Sequence, residues 1–216
     1  MSDGAQTEHD AERRREEDHQ LETELIERRE AALAHVVQFG DPVLKSKASP
    51  VSKFGPELRS EVERMIEIMR DGMGVGLAAT QLGALRRLLV FQAGPDCEPT
   101  GLINPEIEWL SEEKAIAEEG CLSLPRVSMD VERPLFARVS GRDVEGKQIQ
   151  IEAAGLEARV LQHEIDHLDG VLILDRTTRE QRKGALRALR EGGSYSPPTE
   201  DDPGEDGELR EPRTDA

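Results

Sequence analysis

Between Pro56 and Asp71 the apolar residues Leu58, Val62, Met65, Ile66 and Met69 recur at helical spacing, and Pro56 suits a first-turn position. The period then changes. "RRLLVFQA" reads as a buried strand, "GLINPEIEWL" as a strand broken by proline, and "KQIQIEA" alternates as a half-buried strand does. "ARVLQHEIDHLDG" predicts a helix that ends at Gly170, and "VLILD" a short strand. Residues 179–191 predict a last helix with Leu186 and Leu189 on one side. Strand runs between helices, without internal repeat, point to an α+β fold and not to a regular βαβ series.

The chain ends change the picture of charge. The formal charge is −17, but residues 1–33 hold eleven Asp/Glu against five Arg, and residues 194–216 hold eight against two, so the middle carries only −5. The acidity therefore says little about a ligand. Residues 1–33 are expected to be a charged extension, helical or disordered, 34–192 the working domain, and 193–216 an acidic disordered tail. Aromatic residues make up 3% of the chain, so the core must be aliphatic. With two cysteines, Cys97 and Cys121, a disulfide framework is not expected. No run approaches a membrane span, and "MSDGAQTEHDAERRREE" lacks the apolar stretch of a signal peptide. A reducing cytoplasm is the expected compartment.

The chemistry gathers in "LQHEIDHLDG". Residues four apart share a helix face, so His163 and His167 can close on one metal ion, with Glu164 beside them. Leu161, Ile165 and Leu168 make the other side apolar. On a helix buried on two sides an idle Glu164 would be costly. His-Glu-x-x-His is a metallohydrolase pattern in which the Glu is a general base. The plainer alternative is two exposed histidines on a charged helix. The other three histidines, His9, His19 and His35, all lie toward the amino end, so the domain's imidazoles concentrate here.

A catalytic site of this kind needs a third protein ligand. Downstream of His167 there is no further His or Cys; upstream, in "EEGCLSLP", Cys121 would complete a Cys-His-His set suited to zinc or ferrous iron. In "GMGVGLAATQLG" a phosphate loop is disfavoured, since the Lys-Ser/Thr of a P-loop is missing. Close backbone approach to a small ligand at Gly74 and Gly76, with Gln81 as an uncharged donor, competes with a tight turn packed on a helix.

"GVGLAATQ", "EGCLS" and "QHEIDH", in this order, resemble the three signature motifs of peptide deformylases. The resemblance runs from about Val36 to Arg176 and includes "LINP" and "DHLDGVLILDR". It implies an α+β fold in which a central metal-binding helix is surrounded by small antiparallel β-sheets. It implies removal of the formyl group from the formyl-methionine of new polypeptides, a step of protein biosynthesis. By position, Cys121, His163 and His167 resemble the metal ligands, Glu164 the general acid/base, and Gln81 and the Leu122 N–H the oxyanion donors. The resemblance gives the methionine pocket Val75, Leu156 and Val160 as walls, with Gly74, Gly76, Glu119 and Gly120 along the cleft. Asp166 should point away from the metal and anchor the helix, with Arg133 as its partner. The cofactor expected is one divalent ion, Fe2+ in the cell and Zn2+, Ni2+ or Co2+ in purified protein.

The expected partners are N-formylmethionyl nascent peptides and, through the basic helix 179–191, a transient contact with the ribosome; no membrane and no specific DNA are expected. Two other readings share the motifs: a metallopeptidase that cuts peptide bonds, and a non-catalytic homologue that binds peptides or ribosomes. Three positions depart from the family pattern. Arg126 stands where a glycine is common, Ser128 where a basic residue helps hold the peptide, and Glu157 where the family is usually apolar.

Overall fold

The computed structural model describes residues 3–94 and 96–198. Among the described residues four α-helices run α1 Asp3–Leu33, α2 Pro56–Asp71, α3 Gly155–Leu168 and α4 Arg179–Glu191. Seven strands run β1 Gly76–Ala78, β2 Leu88–Phe91, β3 Thr100–Leu110, β4 Lys114–Cys121, β5 Leu124–Pro134, β6 Phe136–Arg142 and β7 Gln148–Ala154. These strands pair antiparallel with one another: one sheet has the order β1-β2-β3-β6-β7, and β4 and β5 form a separate hairpin. The fold is the α+β class that the hydrophobic pattern predicts.

The sheet lies between two helices because its short strands are apolar on both faces. Leu77, Leu88, Val90 and Ile103 pack with Val62, Met65 and Met69 of α2. Their neighbours Ala78, Leu89, Phe91 and Leu102 pack with Leu161, Ile165 and Leu168 of α3. Successive strand residues thus alternate between the two helices. A third cluster joins Leu124, Val127, Met129 and Val131 of β5 to Ile173, Leu174, Ala185 and Ala188. This sets the hairpin across α3 and against α4.

Two expectations need revision and one is narrowed. "VLILD" is not a strand: Ile173–Asp175 form a 3-10 turn, held by the Leu172 N–H donating to Asp175 Oδ2 at 2.9 Å, and Leu172, Ile173 and Leu174 are all buried. An apolar run this short can be buried whole without strand pairing. The extension before residue 33 is a helix over its described part, with Leu21, Leu25 and Ile26 exposed and only Ala32 in the core. Residues 193–198, expected as the start of a disordered tail, lie on β5 instead, where Tyr195 bridges Val127. The rest of that tail, 199–216, falls outside the described residues.

Gly170 closes α3 with φ +74, and a β-carbon there would meet the Lys45 carbonyl oxygen at 2.7 Å. Gly155, at the other end, has φ +55 but open space around it. Gly155→Ala should therefore cost about 1–2 kcal/mol for the left-handed backbone alone, and Gly170→Ala clearly more, because a backbone must also move. Urea denaturation of the two variants checks the order.

Candidate metal centre

Three elements converge on one point. Cys121 ends β4, and a register shift between Gly120 and Cys121 lets the chain turn and pair Cys121 with Leu124. His163 and His167 come from α3, one turn apart. One ligand atom from each of Cys121, His163 and His167 lies within 4.8 Å of the others. Cys121 Sγ is 3.2 Å from His167 Nε2, and the two imidazole rings meet edge to face with centroids 5.0 Å apart.

The ring orientations have causes. His163 Nδ1 donates to Glu119 Oε2 at 3.0 Å, which leaves Nε2 for the site. Hydrogen bonds to Cys121 and Glu119 and the charge of Glu164 outweigh the effect of burial and lift the His163 imidazole to about 10. A cation between the sulfur and the imidazoles would take the place of that proton. Burial pushes His167 the other way, well below its ordinary value, with the charges of His163 and Arg133 adding to it. A neutral imidazole is the form that binds a metal.

Glu164 stands next in the helix and is buried against the glycine stretch. A β-carbon on Gly76 would sit 2.3 Å from Glu164 Oε1, so only glycine admits this carboxyl. Burial pushes the group up to about 7, against the lowering influence of His163 and Arg133. Its Oε2 is buried with no hydrogen-bond partner among the described residues. A thiolate, two imidazoles and a buried carboxyl oxygen awaiting a donor fit a divalent ion that brings a water with it.

Gln81 is 1% exposed and sits in a short 3-10 turn after β1. The Ala78 N–H donates to its Oε1 at 2.8 Å. The amide oxygen is thereby assigned, and the NH2 must face the site. Gln81 Nε2 lies 3.6 Å from Cys121 Sγ and 3.4 Å from Ser123 Oγ. Leu122 is half-buried beside the glycine loop, where a β-carbon on Gly74 would touch its Cδ1 at 3.0 Å.

Behind His163 lies a buried ion network. Arg133, 4% exposed, donates to both oxygens of Glu119 at 2.6 and 2.9 Å and to Asp166 Oδ2 at 2.8 Å. The Arg133–Asp166 contact expected from the sequence is present. Arg176 closes on the Asp166 carboxylate at 2.5 and 3.1 Å, and Arg159 on Glu119 Oε1 at 2.6 Å. Arg159 also donates to the carbonyls of Ala115 and Val131, so it ties α3 to both strands of the hairpin. The sequence reading missed Arg159 and Arg176. Arg159 lies one helical turn before His163, which was the one available signal. Burial alone would push the Glu119 carboxyl up; hydrogen bonds from His163 and Arg133 outweigh it and hold the group at about 2, below its ordinary 4.5.

Not every expected cleft residue lies on a cleft surface. Glu119 does not: both its oxygens are taken up behind His163. Val160 is buried at 4% in the core under α3, whereas Val75 and Leu156 are exposed at 46% and 54%. Gly120 is exposed and Gly74 half-buried.

Residues 33–183 match the family described as polypeptide deformylase. The peptide deformylase of Thermotoga maritima is 46% identical over 144 residues, which is 67% of this chain and 87% of that protein. The peptide deformylase of Parafrankia sp. is 45% identical over 153 residues, 71% of this chain and 83% of that protein. Among solved structures, the Thermotoga maritima peptide deformylase matches with a TM-score of 0.64 at 45% identity, covering 66% of this chain and 96% of that one. A peptide deformylase from Synechococcus elongatus, in complex with actinonin, matches with a TM-score of 0.68 at 39% identity, covering 74% and 88%.

Two outcomes follow from the ion network. Arg133→Met leaves Glu119 to Arg159 and His163 and Asp166 to Arg176, so the loss of its charged hydrogen bonds should cost about 1.5–3 kcal/mol in urea denaturation. The Glu119 carboxyl titrates at about 2 when folded and 4.5 ordinarily, so its contribution is complete above pH 4.5 and is lost as pH falls toward 2. Melting curves across that window should show an acid slope in the native chain that is shallower in Glu119→Gln.

Proposed function

This chain belongs to the polypeptide deformylase family, and from that premise we propose that it hydrolyses the N-formyl group of N-terminal formyl-methionine on new polypeptides. The observation that carries the reading is the Cys121, His163, His167 cluster with the buried Glu164 beside it. The products are formate and a free amino terminus. The family implies a divalent ion, and Cys and His donors are chemically suited to Fe2+ or Zn2+. We assign Fe2+ in the cell, with Zn2+, Ni2+ or Co2+ as substitutes in purified protein. Cytoplasm is the assigned compartment; among the described residues no helix is long and apolar enough to cross a membrane.

Cys121, His163 and His167 would hold the ion, which when bound would supply Lewis acidity toward the formyl oxygen and make the attacking water easier to deprotonate. Glu164 takes the proton of that water. Its carboxyl near 7 can both accept and return a proton at neutral pH. The water oxygen bonds to the formyl carbon, and charge develops on the formyl oxygen. The Gln81 NH2, aimed by the Ala78 N–H, and the Leu122 N–H stabilise that charge. Glu164 then delivers its proton to the amine nitrogen as the C–N bond breaks. Formyl carries only hydrogen on its carbon, and the close approach of Gly74 to Leu122 and of Gly76 to Glu164 supports a site that refuses acetyl. Exposed Val75 and Leu156 are the apolar surface offered to the methionine side chain.

We assign to α4 a transient contact with the ribosome. Its five basic residues, Arg179, Lys183, Arg182, Arg187 and Arg190, are all exposed while Ala185 and Ala188 are buried. Clustered positive charge is what phosphate contacts need. Charge reversal at Arg179, Lys183 and Arg190 should abolish salt-sensitive co-sedimentation with ribosomes and leave peptide turnover intact; co-sedimentation that survives it rules α4 out.

The reaction is tested anaerobically with iron-loaded protein, by following formate from formyl-Met-Ala-Ser beside acetyl-Met-Ala-Ser and unformylated Met-Ala-Ser. Formate should come from the first only and vanish in Glu164→Ala. Cleavage of the unformylated peptide would make the protein a peptidase, and no turnover at all a binding homologue. Gln81→Ala should lower kcat about 10²- to 10³-fold, the effect of losing one oxyanion donor.

A further inference from the structure

The family match ends at residue 183, yet residues beyond it return to the hairpin that carries Cys121. After α4 the chain turns at Gly192, with φ +70, and Tyr195 forms a parallel bridge with Val127 of β5. The Tyr195 N–H donates to Arg126 O at 3.0 Å, and its carbonyl accepts from the Ser128 N–H at 2.9 Å. Arg126 Nη2 donates to Gly192 O at 2.8 Å, and Ser128 Oγ lies 3.2 Å from Ser196 Oγ. Two of the three departures from the family pattern, Arg126 and Ser128, thus hold the chain's own carboxyl-terminal segment. The Tyr195 ring packs in the third core cluster with Val127, Ala185 and Ala188. It lies so close over Gly184 that a β-carbon there would be 2.3 Å from Cε2.

Through this one bridge the segment lies along the outer edge of the β4–β5 hairpin, next to the turn that carries the cysteine. That turn, Cys121 to Leu124, is held from one side by the Phe39 N–H donating to Ser123 O at 2.9 Å and Gln38 Nε2 donating to Leu122 O at 3.3 Å. On the other side it leads directly into Arg126–Ser128. Arg126 has φ +59, a left-handed conformation that a residue with a side chain adopts only when its surroundings hold it. The surroundings here are Gly192 and Tyr195. We infer that Tyr195 is a positioning residue for the reaction: by clamping β5 it fixes the turn that presents the Cys121 thiolate and the Leu122 N–H. The part concerning the reaction rests on the deformylase reading; the part concerning the metal ligand does not.

Point variants of the full chain test this. The phenol hydroxyl makes no hydrogen bond among the described residues, so Tyr195→Phe keeps the ring that anchors the backbone clamp and Tyr195→Ala removes that anchor. Gly184→Ala gives α4 the better helix former and acts against the ring alone. Zinc affinity by chelator competition, and kcat and KM on formyl-Met-Ala-Ser, are the readouts. Tyr195→Ala and Gly184→Ala should each lower zinc affinity and kcat about tenfold or more, with KM within about twofold. Tyr195→Phe should match the native chain, and the double variant Gly184→Ala/Tyr195→Ala should be no worse than Tyr195→Ala. A fall in melting temperature with zinc affinity and kcat unchanged in both single variants overturns the inference, as does a Phe variant as impaired as the Ala variant. If the native chain releases no formate but zinc affinity still falls, the deformylase reading fails and the clamp on the ligand stands.

Discussion

Glu119 is a carboxylate taken out of water between a strand and a helix, and it can stay there only because three donors meet it. Arg133 comes from β5, Arg159 and His163 from α3, so satisfying one charge forces the hairpin and the helix into a single relative position. Buried ionic groups are weak sources of net stability, but an unpaired one is costly. That asymmetry makes the network a register device. The same arrangement fixes the His163 tautomer and brings Cys121, on the neighbouring strand residues, to the two imidazoles.

The second constraint is space. Glu164 fits because residue 76 has no side chain, and the carboxyl that results is dry enough to hold a proton near neutrality. Gln81 is aimed by a backbone donor before any substrate arrives. The chemistry is thus preorganised from both sides: an ion network behind the ligands, and a glycine-lined strand in front of the base.

Much of this was legible in the chain. Helices α2 and α4 carry clear 3.6-residue periods, and the His163–His167 pair is a local fact of helix geometry. The proximity of Cys121 to them is not local; it is read from the need for a third ligand with no His or Cys downstream, and then from three motifs in family order. What stayed hidden has physical causes. In β5 the inward positions are Val127, Met129, Val131 and Arg133, and a buried arginine at the end of the row disguises a period-2 strand. Arg159 looks like one more surface charge until the hairpin carbonyls it reaches are known. The carboxyl-terminal segment, from its Gly, Ser and Pro, reads as tail, because a single half-buried tyrosine is too small a signal to announce a β-bridge. "VLILD" misled because three consecutive buried aliphatics are compatible with either a strand or a turn.

X-ray absorption at the metal edge of the zinc-loaded full chain tests the central claim most directly, that one ion is held by the hairpin cysteine and the two helix histidines. One sulfur neighbour at about 2.3 Å and two imidazole nitrogens at about 2.0–2.1 Å are expected. A shell without sulfur, or with no more than one imidazole, would contradict the claim.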